Sequence, residues 1–419
     1  ALKVALAYGD GRLSLDLPEE RTTVITPTYR SAMPDPERAL QSALRSPINS
    51  RPLKEIARNG QHVAISICDV TRAQPRQLMI QAFLDELEGI VRPEDVTILI
   101  ATGTHRANTD DEVRTMLGDE IASACRVVNH VARDESSLVD LGMIGNGVPV
   151  KLNREWIEAD LRITTGFVEP HFFAGFSGGP KMVAPGLAGI DTVVTLHDAA
   201  RIGHPDATWG VIEGNPVHDD VRAIARAAAP HFSMDVVLNS DQLVTGVYAG
   251  ELFAMHAAAC VQAKLDSMQQ IDRPFDLVIT SNSGYPLDQN LYQAVKGMAA
   301  AVRVVKPGGL IVCAAECRDG IPDHGSYAEI LSSRPNPASL LEMIETPGYS
   351  EPDQWQVQIQ AKIQMHARVL VKADRLSDSQ LNAAHFESID DIQAVVEAAG
   401  SDASICVLPE GPQTIPFIS

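Results

Sequence analysis

The chain has 419 residues, 45% hydrophobic and 21% charged, the make-up of a globular protein with room for two or three domains. A formal net charge of -20 repels phosphate backbones, so nucleic acid is not an expected partner. No apolar run reaches the roughly 18 residues of a membrane span, so no membrane association is expected.

The N-terminal stretch, residues 1–10, turns acidic too soon for a signal peptide and reads as a first strand, Leu2–Ala7. Six scattered cysteines, Cys68, Cys125, Cys260, Cys313, Cys317 and Cys406, fit buried free thiols in a reducing, cytoplasmic compartment. Cys313 and Cys317 lack the second pair that a zinc site needs.

Further strands are predicted at His62–Cys68, Val96–Ala101, Leu161–Gly166, Met234–Leu238, Phe275–Thr280, Leu310–Ala314, Arg368–Lys372 and Ile405–Leu408. Most are rich in Val and Ile without polar alternation, as in strands buried on both faces of a parallel sheet. Helices are expected between them at Pro75–Leu87, Asp110–Leu117, Asn215–Ala229, Leu252–Gln269 and Pro337–Ile344, the last capped by Asn336. The alternation predicts an α/β protein of two domains built on mainly parallel sheets with flanking helices. The break is placed near Ile271–Pro274, giving domains 1–270 and 271–419.

Ligands of open α/β sheets bind beyond the carboxyl ends of strands, so the residues after each strand carry the functional reading. Asp69-Val-Thr71-Arg72 follows the second predicted strand, and Thr102-Gly-Thr-His105-Arg106 the third. Phe167-Val-Glu-Pro-His171-Phe-Phe173 follows the fourth and runs into Gly175-Phe-Ser177-Gly178-Gly179-Pro-Lys181. The turn before Lys181 could cradle a phosphate, but Met182 stands where a Walker A loop needs Ser or Thr. A desolvated Lys181 could equally be a nucleophile, or simply an exposed lysine. His105, His171 and His197 are candidate acids, bases or metal ligands. The other histidines, His62, His130, His231, His256, His324, His366 and His385, read as structural, with His204 and His218 in loop or cap settings. Asp288, Tyr292 and Lys296 are spaced by four and so share a helix face, and Gln293 neighbours Lys296. Arg72 and Lys296 are candidate anion holders.

Taken together these segments resemble the nickel-pincer-nucleotide-dependent lactate racemase family. The residues that carry the resemblance are Asp69–Arg72, Gly103–Arg106, Pro170-His171, Gly175–Lys181, His197 and Asp288–Lys296. It implies that Lys181 tethers a pyridinium dithioacid mononucleotide covalently and that His197 ligates its nickel. It also implies that His105 and His171 are the acid/base pair, and that Arg72, Tyr292, Gln293, Lys296 and Phe173 meet a small 2-hydroxycarboxylate. Asp69, Thr71, Ser177, Gly178, Gly179 and Trp355 would adjoin the cofactor in an interdomain cleft. The implied reaction is racemisation by hydride removal and return through a 2-keto acid, with lactate or a larger 2-hydroxyacid as substrate. The proteins that make the cofactor would be transient partners. Two other readings stay open at this level: a lysine Schiff-base lyase or metal-dependent hydrolase, and a non-catalytic carrier of the nucleotide.

Overall fold

A computed structural model describes residues 1–322 and 325–419; His324 lies outside them. The chain forms two compact units. One comprises Tyr29–His197 with Asp206–Asp266, the other Ala1–Thr28, Asp198–Pro205 and Ser267–Ser419.

The first of these is built on a six-stranded sheet in the order Val244–Gly250, Phe232–Leu238, Leu161–Phe167, Val63–Cys68, Val96–Ala101 and Arg126–Asn129. All neighbours are parallel except the edge pair of 244–250 with 232–238. The central strands are buried along nearly their whole length because Val, Ile and Leu face helices on both sides. Ile65, Ile67, Ile98, Ile100 and Ile163 form the middle of the core, with Met79, Ile80 and Phe83 of the helix Arg76–Leu87 packed on it.

The other unit has its own all-parallel sheet, ordered Glu387–Ser388, Arg368–Lys372, Val305–Ala314, Phe275–Ser281, Ile405–Leu408 and Thr22–Val24. The helices Leu291–Ala301 and Gln354–His366 belong to it, as does Pro337–Ile344, which starts with the expected Asn336 cap.

Three sequence expectations change. Leu2–Tyr8 is not a strand of a parallel sheet; it pairs antiparallel with Gly11–Leu17 in a hairpin. Its alternating burial lets Val4, Leu6 and Tyr8 join the core of the C-terminal sheet. The N-terminal 28 residues therefore group with the C-terminal half, since Thr22–Val24 pairs with Ile405–Leu408. The helix from Leu252 ends at Ser267, because Met268–Ile271 is drawn into a strand beside Ile415–Ile418.

Candidate active site

Three adjacent strands of the 29–266 unit, ending at Cys68, Ala101 and Phe167, deliver the catalytic candidates to the carboxyl edge of one sheet. The loop after Cys68 is held from beneath. Arg76, buried at the start of its helix, donates to the carbonyls of Cys68 at 2.7 Å, Arg72 at 2.8 Å and Gln74 at 3.0 Å, and also to that of Asp69. Gln74 accepts from the Cys68 N–H at 2.8 Å and donates to Thr165 at 2.7 Å. Asn108 accepts from the Val70 N–H at 2.9 Å. The backbone of 68–72 thus has little freedom left.

On that loop the Asp69 carboxylate meets His105 Nδ1 at 2.6 Å and accepts from the Thr71 hydroxyl at 2.6 Å. Burial pushes the Asp69 carboxyl up, but the His105 charge and hydrogen bond, Arg72 and Thr71 outweigh it and hold it well below the usual carboxylate range. An ionised Asp69 keeps the proton on His105 Nδ1 and leaves Nε2 as the basic nitrogen.

The segment after Phe167 folds into a two-residue hairpin, Pro170–His171 against Gly175–Phe176, then a short 3₁₀ turn, Gly179–Met182. Ser177 Oγ donates to the Phe167 carbonyl and accepts from the Glu169 N–H, both at 3.0 Å. Gly178 and Gly179 have φ of +69° and +51°. A Cβ on Gly178 would lie 2.8 Å from the Phe167 carbonyl oxygen, and one on Gly179 2.4 Å from the His256 ring. These glycines are needed where the loop meets protein. The Ser177 hydroxyl and the Gly179 N–H are both committed to it.

Phe173 is the hub of this side. Its ring centroid lies 4.5 Å from that of His171, 5.1 Å from that of His197 and 5.6 Å from Lys181 Nζ. The Lys181 amine is pushed down to about 7, by burial first and the Arg72 charge second, against smaller pulls from Cys68 and Glu169. The shift favours the neutral amine, the form that a nucleophile needs. His197 closes the helix Ile190–Leu196 rather than lying along its face. Its Nδ1 donates to the Val193 carbonyl at 2.6 Å, so coordination would fall to Nε2. Burial, aided by Lys181, pushes the ring down to about 4 and keeps it a neutral donor. His171 has the opposite arrangement: its Nδ1 accepts from the N–H groups of Ala174 at 3.2 Å and Phe173 at 3.4 Å, which places the proton of the neutral ring on Nε2.

The remaining candidates lie in the other unit. Tyr292, Gln293 and Lys296 are on the helix Leu291–Ala301, and Trp355 Nε1 donates to the Tyr292 hydroxyl at 3.1 Å. Asp288 is not on that helix, which is capped by Asn290. It precedes the helix and is buried, accepting from the N–H groups of Gly9 at 2.8 Å and Glu316 at 3.1 Å. The four-residue spacing to Tyr292 has no helical meaning because the turn residues between break the periodicity.

All six cysteines are free and buried. Among the histidines read as structural, His62, His130, His231, His256, His366 and His385 each hold a hydrogen bond within the fold. Among the described residues no group of three or more His, Cys, Asp or Glu side chains is placed to hold a metal. Sequence reading overlooked Arg76, Gln74, Asn108 and Asp235. Arg76 and Gln74 bond backbone groups only two to eight residues away and Asn108 and Asp235 groups 38 and 56 residues away, and none of these four falls in a recognisable motif.

An α/β protein with an Asp–His pair, a depressed lysine amine and a neutral buried histidine at one sheet edge has the parts of an acid/base enzyme. Residues 8–210 match the lactate racemase N-terminal domain and residues 271–415 the lactate racemase C-terminal domain. The chain is 34% identical to the lactate racemase of Thermoanaerobacterium thermosaccharolyticum, over 98% of both chains. It is 36% identical to that of Lactiplantibacillus plantarum, over 92% of this chain and 91% of the relative. The apoprotein structure of the Thermoanaerobacterium racemase superposes with a TM-score of 0.93 at 32% identity, covering 99% of this chain and 100% of that one. A Thermotoga maritima protein shares the fold at TM-score 0.71 and 19% identity, over 91% of this chain and 98% of that one. The chain belongs to the lactate racemase family.

Proposed function

We propose that this protein is a 2-hydroxyacid racemase that uses a nickel-pincer nucleotide tethered to Lys181. The observation that supports it most is the grouping of Lys181, His171 and His197 around Phe173. The residues fit the group. Lys181 has a readily deprotonated amine for a thioamide link, and His197 is a neutral imidazole. With no cluster of three protein ligands among the described residues, the other metal donors would have to come from the nucleotide, which suits one protein histidine. When bound, the group would accept a hydride from the substrate and return it.

The chain's own residues account for the rest. Arg72 offers a planar fork for the substrate carboxylate. His105, oriented by Asp69, takes the hydroxyl proton at Nε2 as the substrate becomes a planar 2-keto acid. His171 presents an Nε2–H to the substrate oxygen and gives that oxygen its proton as the opposite enantiomer forms, His105 and His171 exchanging these roles in the reverse direction. Phe173 excludes water and bounds the substrate side chain, so it selects between lactate and larger 2-hydroxyacids. Tyr292, Gln293, Lys296 and Trp355 are proposed as further substrate and cofactor contacts on the strength of the sequence resemblance. Ser177, Gly178 and Gly179 serve chiefly to shape the tether loop. The free thiols favour a reducing cytoplasm; the cofactor-making proteins would be transient partners. Among the described residues no helix is long and apolar enough to cross a membrane.

A chiral assay over 2-hydroxyacids, on chain co-produced with the cofactor-making proteins, tests the proposal. Interconversion of the two enantiomers of at least one of them is expected. Loaded chain that racemises none, yet binds the nucleotide, would favour the carrier reading instead.

A further inference from the structure

Beneath the loop that carries Lys181 lie four buried polar side chains with no part in the chemistry above. Asn215 Nδ2 donates to the Phe173 carbonyl at 2.9 Å, and His218 Nδ1 to that of Ala174 at 3.2 Å. His256 Nε2 donates to the Ser177 carbonyl at 2.9 Å. Asp235 Oδ2 accepts from the Gly179 N–H at 2.7 Å. Asn215 and Asp235 are 0% exposed, His218 2% and His256 3%. They come from separate elements: Asn215 and His218 from the start of the helix Pro216–Ala227, Asp235 from the strand Phe232–Leu238, and His256 from the helix Leu252–Ser267.

Asp235 is the costly member. Among the described residues its Oδ1 is buried with no hydrogen-bond partner. Burial pushes its carboxyl up to about 7, with the Gly179 N–H pulling the other way. A buried acid held by one amide destabilises the fold, and an apolar residue would avoid that cost. The packing shows what Asp235 provides. Its oxygens lie where a Cβ on Gly166 or Gly178 would fall, at 3.1 and 2.8 Å. It thus reaches the one N–H at the start of the turn Gly179–Met182, under glycines that give it room.

We propose that Asp235 is a positioning residue that, with His256, fixes the turn bearing Lys181 and so sets where the Lys181 amine stands. The functional meaning of this rests on the tether role of Lys181, but the clamp itself can be tested without it. Hydrogen exchange on the full, unloaded chain reads the peptide 173–181 against the strand Val96–Ala101. In Asp235→Ala, exchange over 173–181 is expected to rise by about tenfold or more while the strand stays unchanged. In loaded enzyme kcat should fall by at least about tenfold, with KM within about twofold. Asp235→Asn keeps an acceptor for the Gly179 N–H and should restore both. Wild-type exchange over 173–181 in Asp235→Ala would overturn the proposal, as would an equal rise through the strand or no rescue by Asn. If Asp235→Ala does not fold, His256→Leu decides: it removes the donor to Ser177 and should loosen the same peptide alone, and unchanged exchange there overturns the clamp. Failure of the tether reading would show separately, as wild-type Lys181 gaining no mass on loading, and would leave the exchange result standing.

Discussion

His105 and His171 are held in opposite tautomers, and the cause is local. The Asp69 carboxylate accepts a hydrogen bond from His105 Nδ1–H and keeps the proton there, whereas two backbone N–H groups donate to Nδ1 of His171. His105 is set to accept a proton and His171 to donate a hydrogen bond. Asp69→Asn keeps the size but loses the charge that orients His105. Its turnover should fall by about a hundredfold or more, and a loss smaller than about threefold would remove Asp69 from this role. Metal content separates the histidines. His105→Ala and His171→Ala should abolish racemisation and keep nickel, whereas His197→Ala should lose the metal. Stoichiometric nickel in purified His197→Ala would refute the ligand assignment.

Among the elements, the buried parallel strands were legible because Val- and Ile-rich runs without alternation have few alternatives to a doubly covered sheet. Val63–Cys68, Val96–Ala101 and Ile405–Leu408 fall within a residue of their predicted limits. The hairpin Leu138–Ile144 with Val148–Asn153 was not legible, since the first strand is mostly exposed or half-buried and carries Gly142, and the second is short and carries Pro149. Nor was the start of the helix Leu291–Ala301, which the cap Asn290 decides rather than periodicity. For the site, the strand ends pointed to Asp69, His105, His171 and Lys181. Resemblance, not spacing, supplied the role of Lys181. The supports beneath, Arg76 and Asp235, depend on contacts distant in sequence or on backbone direction. Backbone demands are testable here too. Gly175 has φ +84°, and a Cβ on it would lie 2.3 Å from the Val211 carbonyl oxygen. Gly175→Ala should therefore cost about 1–3 kcal/mol by chemical denaturation; an unchanged midpoint would show that the hairpin can shift.

At the level of the whole molecule, buried titratable groups make stability depend on pH. Burial pushes His130, His197 and His256 down to about 4 and His218 to about 3, from near 6.5 when unfolded. The unfolded chain binds more protons at these sites, so their contribution is lost as pH falls from about 6.5 toward 4. Asp235 opposes them, since its raised carboxyl binds a proton in the folded state up to about 7, but four groups outweigh one. Tm should therefore fall steadily between about pH 6.5 and 4, and a flat Tm profile there would contradict neutral burial of the four rings. The whole molecule is also where the proposed activity is decided, and intact mass with peptide mapping of chain made alongside the cofactor-making proteins tests it most directly. The expected result is one added mononucleotide on Lys181, present in racemising preparations and absent from inactive ones. Full racemase activity in chain whose Lys181 is unmodified would contradict it.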